Sequence, residues 1–446
     1  MRRVIFLGLI KLVSYLIKIC CYLNLPKLVG LLLLSSLRKN KLIKYSKKTQ
    51  KVVIVLDKSF GSDDLKSSFM DKKSKIKFLI IQRSLIRVIF DFHFIKIKNL
   101  KFKKNNTDYF PNDKDIDKQK IKYRNFLKEV FKFMFKFMKI DGFLSFNLFY
   151  ITDIELQNAC LLLNKKFLVS HKESVILVDE VQKMLPIYWG KRFRNINISA
   201  LNVYNKYSKR NVVDSKVLNK NKIFISGMPR ADKFYSKSKN QSNYILFLMY
   251  QHTAGLPCPG NEWIKYGLDS NIKKFSWEKN AQKTTKVLLD YAKANPDLKF
   301  IFKTKPGFSL NQIKLVKNYN LNNIKLLVGG GDTSELIKNS SMIIGINTSG
   351  LLEGAILGKH LITTNFDSRD KLNKEKFLFK PKKLINYITN EKKFLLTLKN
   401  LSKNNSKLFP KKTKNTISII KKHFGNTNAS GGIKFKNFLY KNLNIN

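Results

Sequence analysis

Asn347-Thr348-Ser349-Gly350, followed by Glu353, is the grouping in this chain best suited to chemistry. The turn lies between an apolar run, MIIGI, and the segment LLEGAILG, which reads as a helix beginning near Leu351. Hydroxyl and amide side chains beside open backbone N–H groups at a helix N-terminus make a cradle for phosphate. Glu353 falls in the first turn of that helix, at the carboxyl edge of the sheet, where open α/β folds bind ligands. A ribose hydroxyl is a fitting partner for its carboxylate. Two basic residues, Lys303 and Lys305, end the run KFIFKTKPG (299–307). Alternate strand positions point the same way, so this pair is a candidate for a diphosphate. The competing reading is a pair of surface lysines in a lysine-rich chain.

Short buried strands must position these groups. IKLLV, MIIGI and HLITT, between 324 and 364, are rich in Ile, Leu and Val and bounded by Gly, Asn, Ser or Thr. Buried parallel strands look like this where helices alternate with them. NYILFLMY (243–250) opens this half as a strand. A loop with His252, Gly255, Pro257, Pro259 and Gly260 follows, then a helix over 278–296. Gly329-Gly330-Gly331-Asp332-Thr333 precedes a short helix that Asp332 or Thr333 would cap.

Upstream, KVVIVLD (51–57) and KIKFLII (75–81) read as strands, and 96–125 as loop or weak helix. FLKEVFKFMFKFMK (126–139) has helical apolar spacing, with Phe and Met as core. A strand entering a turn over 141–150, a helix over 154–165, and strands over 166–174 and 222–234 complete this half. Strands alternating with helices twice over predict an α/β protein of two facing Rossmann-like domains meeting at a cleft. The expected division is 1–45 as an N-terminal hydrophobic helical appendage, 46–235 and 240–400 as the two domains, and 401–446 as a returning helix and polar tail.

A length of 446 residues fits two domains of ordinary size. The net charge of +56 arises from 86 Lys plus Arg against 30 Asp plus Glu. Because lysine is spread along the chain with abundant Asn and Ile, composition bias accounts for much of that charge. What remains draws the protein toward anionic lipid and phosphorylated substrates. No RNA-binding signature occurs and no arm gathers the basic residues, so specific nucleic acid binding is not favoured. Cys20, Cys21, Cys160 and Cys258 lack paired spacing, and no His-x-x-x-His occurs among five His. Neither a disulfide framework nor a His-based metal site is expected, and a cytoplasmic setting fits.

Residues 4–34 are strongly apolar but interrupted by Lys11, Lys18, Asn24, Pro26 and Lys27. A spanning helix needs roughly 20 mainly apolar residues. An amphipathic hairpin lying on the inner face of the membrane fits better, with the basic stretch Arg38 to Lys51 against anionic headgroups. The alternatives are a helix pair packed on the protein's own core and a true span.

Gly345 to Lys359 resembles the G-x-N-T/S-T/S-x-x-x-E-A/G-x-x-x-G-K pattern of bacterial surface-carbohydrate and capsule glycosyltransferases of GT-B type. Related CDP-glycerol glycerophosphotransferases and sugar-nucleotide epimerases share its Ser/Thr-then-Glu layout. The resemblance extends more weakly from about 140 to 370. It implies a donor site at Asn347, Thr348, Ser349, Gly350 and Glu353, with Lys303 and Lys305 on the diphosphate and no bound metal or other cofactor. Ser170-His171-Lys172-Glu173 resembles the family's H-K-E segment, making Glu173 or His171 the candidate general base, with Asp57, Asp63 and Asp64 as rivals. Gly227-Met228-Pro229-Arg230-Ala231-Asp232 is similar to its G-x-P-R-x-D element, where Arg230 would pair with Asp232 or reach a donor phosphate. Gly354 and His360 depart from the family's usual Ala and Pro.

The expected function is therefore sugar transfer from a nucleotide-sugar to a surface polysaccharide or lipid-linked glycan. The second reading is CDP-glycerol-type polyol-phosphate transfer. A third, from a different class, is a non-enzymatic binder of anionic polymer or nucleic acid.

Overall fold

A computed structural model describes residues 2–41, 43–56, 60–69, 73–95, 113–193, 196–235, 244–256, 276–305, 308–366, 375–403 and 413–445. The chain divides into two units. One comprises Met1–Ser174, Trp189–Arg230 and Ser430–Asn446, the other Val175–Tyr188 and Ala231–Ala429.

The first unit holds seven strands: β1 (Arg38–Lys39), β2 (Lys51–Val55), β3 (Ile76–Ile80), β4 (Gly142–Ser145), β5 (Lys166–Ser170), β6 (Ala200–Val203) and β7 (Ile223–Ile225). Their order is β1-β3-β2-β4-β5-β6-β7. All neighbours are parallel except the β1–β3 pair at one edge. Chain order reverses between β2 and β4, so the ligand-binding crevice expected of such a sheet opens at their carboxyl ends. One face is filled by Val53, Val55, Phe78, Leu144 and Leu168 together with Phe435, Phe438 and Leu439, carried back by the segment 430–446.

The second unit has six parallel strands: β8 (Tyr244–Leu248), β9 (Lys299–Lys303), β10 (Ile324–Leu327), β11 (Ser340–Ile344), β12 (His360–Thr364) and β13 (Asn386–Ile388). The order β10-β9-β8-β11-β12-β13 is the 3-2-1-4-5-6 arrangement of a dinucleotide-binding sheet, with its switch between β8 and β11. Both sheets give the predicted α/β class with two Rossmann-like units.

The stretch 96–125 departs from expectation. Helix Lys114–Phe137 begins twelve residues before the apolar pattern that predicts it at 126. Asp113 caps it by accepting from the Asp115 and Ile116 N–H groups, and Asp115 and Asp117 sit in its first turn, where acidic groups suit the helix dipole. Two Asp-x-Asp spacings in this turn, Asp113 to Asp115 and Asp115 to Asp117, thus serve the helix end; Asp117 also pairs with Lys120 at 2.7 Å. Residues 96–112 lie outside the described residues.

The apolar start of the chain forms helices Arg2–Tyr22 and Pro26–Ser36. They pack on helices Arg83–Ile95 and Lys114–Phe137 through Ile17, Cys21, Val29 and Leu33. Their other face stays open, and Leu9, Leu12, Leu16, Ile19, Leu28 and Leu31 are exposed on it. Lys11 and Lys18 share that outer face of the first helix with Leu9, Leu12 and Leu16. Among the described residues no helix is long and apolar enough to cross a membrane.

Candidate functional site

In the second unit, β11 ends at the switch point and the chain turns through Asn347 into helix Ser349–Ile356. Thr348 is the N-cap, its hydroxyl accepting from the Gly350 N–H at 3.4 Å. Ser349 donates its hydroxyl to Glu353 Oε1 at 3.2 Å, aligning hydroxyl and carboxylate on the first turn. Gly350 leaves room for β8, because a Cβ there would lie 2.5 Å from Leu248 Cδ1. Gly354 likewise faces Ile343 and Leu361, at 2.4 and 2.9 Å from where a Cβ would stand. An alanine at 354, usual in the pattern that this segment resembles, needs smaller neighbours on β11 and β12.

Asn347 holds the turn itself together. Its backbone is left-handed (φ 47°), and its amide donates to the Ala254 and Phe377 carbonyls at 3.1 and 2.8 Å. Its side-chain oxygen accepts from the Phe379 N–H at 2.8 Å. Asn347 therefore clasps two neighbouring loops against the turn. Gly255 makes that clasp possible, since a Cβ on it would stand 2.5 Å from the Asn347 side chain.

Lys303 is also spoken for. Its ammonium donates to the Thr304 and Gly329 carbonyls at 2.6 and 3.3 Å and the side chain is buried. Lys305, beyond the end of β9, is exposed. The two lysines do not form a matched pair, because the strand ends at 303 and strand alternation no longer governs 305. Asp332, not Thr333, caps the short helix Thr333–Asn339, accepting from the Ser334 N–H. His252 bonds the Trp277 N–H through its backbone carbonyl at 3.1 Å. Pro257, Pro259, Gly260 and Gly307 lie outside the described residues.

A buried polar network beside this site has no sequence signature. Tyr250 OH receives the Asn280 amide at 2.9 Å and contacts Thr284 at 3.1 Å, while Thr284 bonds the Thr364 hydroxyl at 2.8 Å. Asn280 also donates to the Thr364 carbonyl and accepts from the Phe366 N–H. It pins the carboxyl ends of β8 and β12 to helix Glu278–Ala294.

In the first unit, His171 and Glu173 follow β5 as expected. His171 is 1% exposed. The Leu148 N–H donates to its Nδ1 at 3.3 Å, which puts the ring proton on Nε2. Burial first, and then the Lys172 charge, holds its pKa down to about 3, so the ring is neutral at physiological pH. Among the described residues its Nε2 has no hydrogen-bond partner, nor has Asn202 Oδ1 on the adjacent strand. A buried donor and a buried acceptor thus stand unsatisfied at neighbouring strand ends, an arrangement that native folds keep rare.

Glu173 is solvent-exposed, yet the protein packed close around its carboxyl pushes its pKa up. Burial is the larger cause; Lys172 and a hydrogen bond with Asn147 oppose it. A raised carboxyl pKa suits a general base better than an ordinary one. Asn147 accepts from the Phe149 N–H at 2.8 Å, fixing the turn after β4 against which both residues sit. Arg83 ties that turn down, bonding Asp153 and the Ser145 hydroxyl.

Arg230, the last residue of its segment of the first unit, packs against Asp64 and Tyr204. Its guanidinium lies 3.4 Å from both Asp64 carboxylate oxygens and donates to Tyr204 OH at 2.7 Å. Tyr204 donates in turn to Asp64 at 2.6 Å. Asp232 instead accepts from Asn426 at 3.1 Å. Asp64, a rival for the base, is fully buried in this triad; Asp63 is exposed, and Asp57 lies outside the described residues.

No protein-family model and no curated protein matches the chain. Among solved structures it is similar to the UDP-GlcNAc 2-epimerase of Methanocaldococcus jannaschii, at 16% identity and TM-score 0.45, over 88% of this chain and 100% of that one. The Neisseria meningitidis UDP-GlcNAc 2-epimerase, solved with UDP-GlcNAc bound, is 13% identical at TM-score 0.46 over 88% and 99%. The wall teichoic acid polymerase TagF is 10% identical at TM-score 0.47 over 97% of both chains. Likeness at this level does not assign a reaction, so function rests on the groups described above.

His171 makes acid stability a test of this geometry. Its folded pKa lies below the ordinary 6.5, so the unfolded chain binds its proton first. Stability is therefore expected to fall as pH drops below about 6.5 and to keep falling toward about 3. His423, held down to about 4 by burial, adds to the same trend. Denaturant melts at pH 7 and pH 5 should show a smaller difference in His171→Asn than in the wild type. An equal difference would mean that His171 is not buried and neutral.

Proposed function

We propose that this chain is a glycosyltransferase moving a sugar from a nucleotide-sugar donor to a surface polysaccharide or lipid-linked glycan, without a bound metal. The donor diphosphate would meet the N-terminus of helix Ser349–Ile356 at Thr348 and Ser349, and the donor ribose would meet Glu353. Negative charge grows on the departing diphosphate, and a helix N-terminus is prepared to receive it. Glu173 would take the proton from the acceptor hydroxyl. His171 and Asn202 would steady the acceptor side as positioning residues, and Lys303 and Asn347 would hold loops around the donor.

The observation that carries this reading is the Ser349–Glu353 pair on a capped helix at the switch point of a 3-2-1-4-5-6 sheet. A thermal-shift panel of UDP, GDP, CDP, CMP and their sugars tests it. At about 100-fold saturation one nucleotude class should stabilise the fold by about 2.7 kcal/mol, and Glu353→Ala should lose that response. No response from the folded wild type to any nucleotide would end the transferase reading. Release of CMP from CDP-glycerol would favour polyol-phosphate transfer. Salt-dependent retention on DNA or polyphosphate, with no nucleotide response, would favour a polymer binder.

The protein would work at the cytoplasmic face of an anionic membrane. The open face of helices Arg2–Tyr22 and Pro26–Ser36 exposes 55% of Leu12 and 46% of Leu28, and Lys11, Lys18 and Lys27 supply charge complementary to acidic headgroups. An interfacial helix pair combines these two attractions. Vesicles containing phosphatidylglycerol should carry the wild type upward in flotation, and neutral vesicles far less. Leu12→Glu with Leu28→Glu should leave it at the bottom, whereas flotation that survives both changes would place the contact elsewhere.

A further inference from the structure

Helices Glu278–Ala294 and Leu310–Tyr319 of the second unit border a cavity of about 620 Å³. Its wall from the first helix includes Lys279, Lys283 and Lys286, spaced i, i+4 and i+7 on one face. The acidic groups of the wall are engaged. Glu391 pairs with Lys283 at 2.6 Å, and Asp290 accepts from the Tyr319 hydroxyl at 2.8 Å. Lys279 and Lys286 make no ion pair among the described residues, so positive charge lines this side of the groove.

The second helix contributes an unfinished cap. Ser309-Leu310-Asn311-Gln312 has the Ser-x-x-Gln spacing of a capping box, in which the two side chains would satisfy each other's backbone N–H groups. The box is open. Ser309 makes no side-chain cap bond. Gln312 is 1% exposed, lines the cavity, and has no partner for either its amide nitrogen or its oxygen among the described residues. An uncapped helix N-terminus favours an anion. A buried amide with a free donor and a free acceptor favours a hydroxyl beside that anion.

We propose that this groove binds a phosphate-bearing polyol or sugar. The phosphate would lie against Lys279, Lys286 and the first turn of Leu310–Tyr319, and a hydroxyl would pair with Gln312. This site is separate from the donor cradle at Thr348, Ser349 and Glu353, and it does not depend on that reading.

Calorimetric titration of the full chain with glycerol 3-phosphate, inorganic phosphate and glycerol tests the proposal. Glycerol 3-phosphate should bind saturably and more tightly than inorganic phosphate, and glycerol alone should give no heat. Lys279→Glu with Lys286→Glu, both at exposed positions, should weaken binding at least about 10-fold, the scale set by removing charge-assisted contacts. Gln312→Leu should erase the advantage of glycerol 3-phosphate over inorganic phosphate. Glu353→Ala should leave glycerol 3-phosphate binding unchanged. Absence of saturable binding, or binding that survives the double charge reversal, overturns the proposal. So does loss of binding in Glu353→Ala, which would assign it to the donor cradle, or an unchanged preference in Gln312→Leu, which would mean that the capping box closes on itself.

Discussion

Glu173→Gln is expected to lower kcat by roughly 10²–10⁴-fold, the range a positioned acid–base group contributes. Nucleotide stabilisation should be untouched, because Glu173 belongs to the first unit and the donor cradle to the second. The pH profile makes the test specific. A base works as its carboxylate, so rate is present above its pKa and lost as pH falls through it. Burial lifts the Glu173 pKa above the ordinary 4.5, and the acidic limb of kcat/KM should be displaced upward accordingly. The limb should vanish in the residual activity of Glu173→Gln. Full activity in that variant, measured with the nucleotide-sugar that stabilises the fold, would remove Glu173 from the mechanism.

Arg230→Met should be the most damaging single change to stability, at about 3–5 kcal/mol, because it strands a buried charge. Asp64 is fully buried, and its carboxylate is held by the Arg230 guanidinium, the Arg230 N–H and the Tyr204 hydroxyl. Burial also pushes the Tyr204 phenol well above its ordinary value, so it stays a hydrogen-bond donor and cannot offset the charge. Removing the carboxylate as well, in Arg230→Met with Asp64→Leu, should recover much of the loss, since apolar groups replace a buried pair at little net cost. Denaturant midpoints of the single and double variants decide this. A single variant within 1 kcal/mol of the wild type would show that the triad is not a buried ion pair.

The two sheets were legible because buried parallel strands are continuous apolar runs: IKLLV, KFIFK and HLITT announce themselves. The strand Ala200–Val203 does not, although all four residues are buried, because Asn202 interrupts its apolar pattern. That polar residue is kept for its place at the strand end, where its amide reaches Ser170 at 3.1 Å. Asn386–Ile388 is too short to carry a pattern. At the turn after β11, the grouping of Thr348, Ser349 and Glu353 on one helix end was legible because helix capping and the i, i+4 relation are local. The partners of Asn347 and Arg230, and the Gly329 carbonyl that Lys303 reaches, are not local in that way. Asp64 lies 166 residues from Arg230, and Phe377 lies 30 from Asn347. Side-chain type tells that a group must be satisfied, not by whom.

Phe435, Phe438, Leu439, Leu443 and Ile445 share one apolar cluster with Val53, Val55, Ile76 and Phe78. The sheet that is synthesised first therefore waits for residues 430–445 before one of its faces is covered. The second unit, whose segments end at Ala429, has all its own pieces earlier. On the ribosome the order of completion is reversed relative to the order of translation, and once β7 is made a bare β-sheet face persists through some 205 residues of elongation, from Ile225 to Ser430. At about 5–20 residues per second that is an interval on the order of 10 to 40 seconds. During it the young chain offers chaperones, and other nascent chains, a surface that the finished protein conceals.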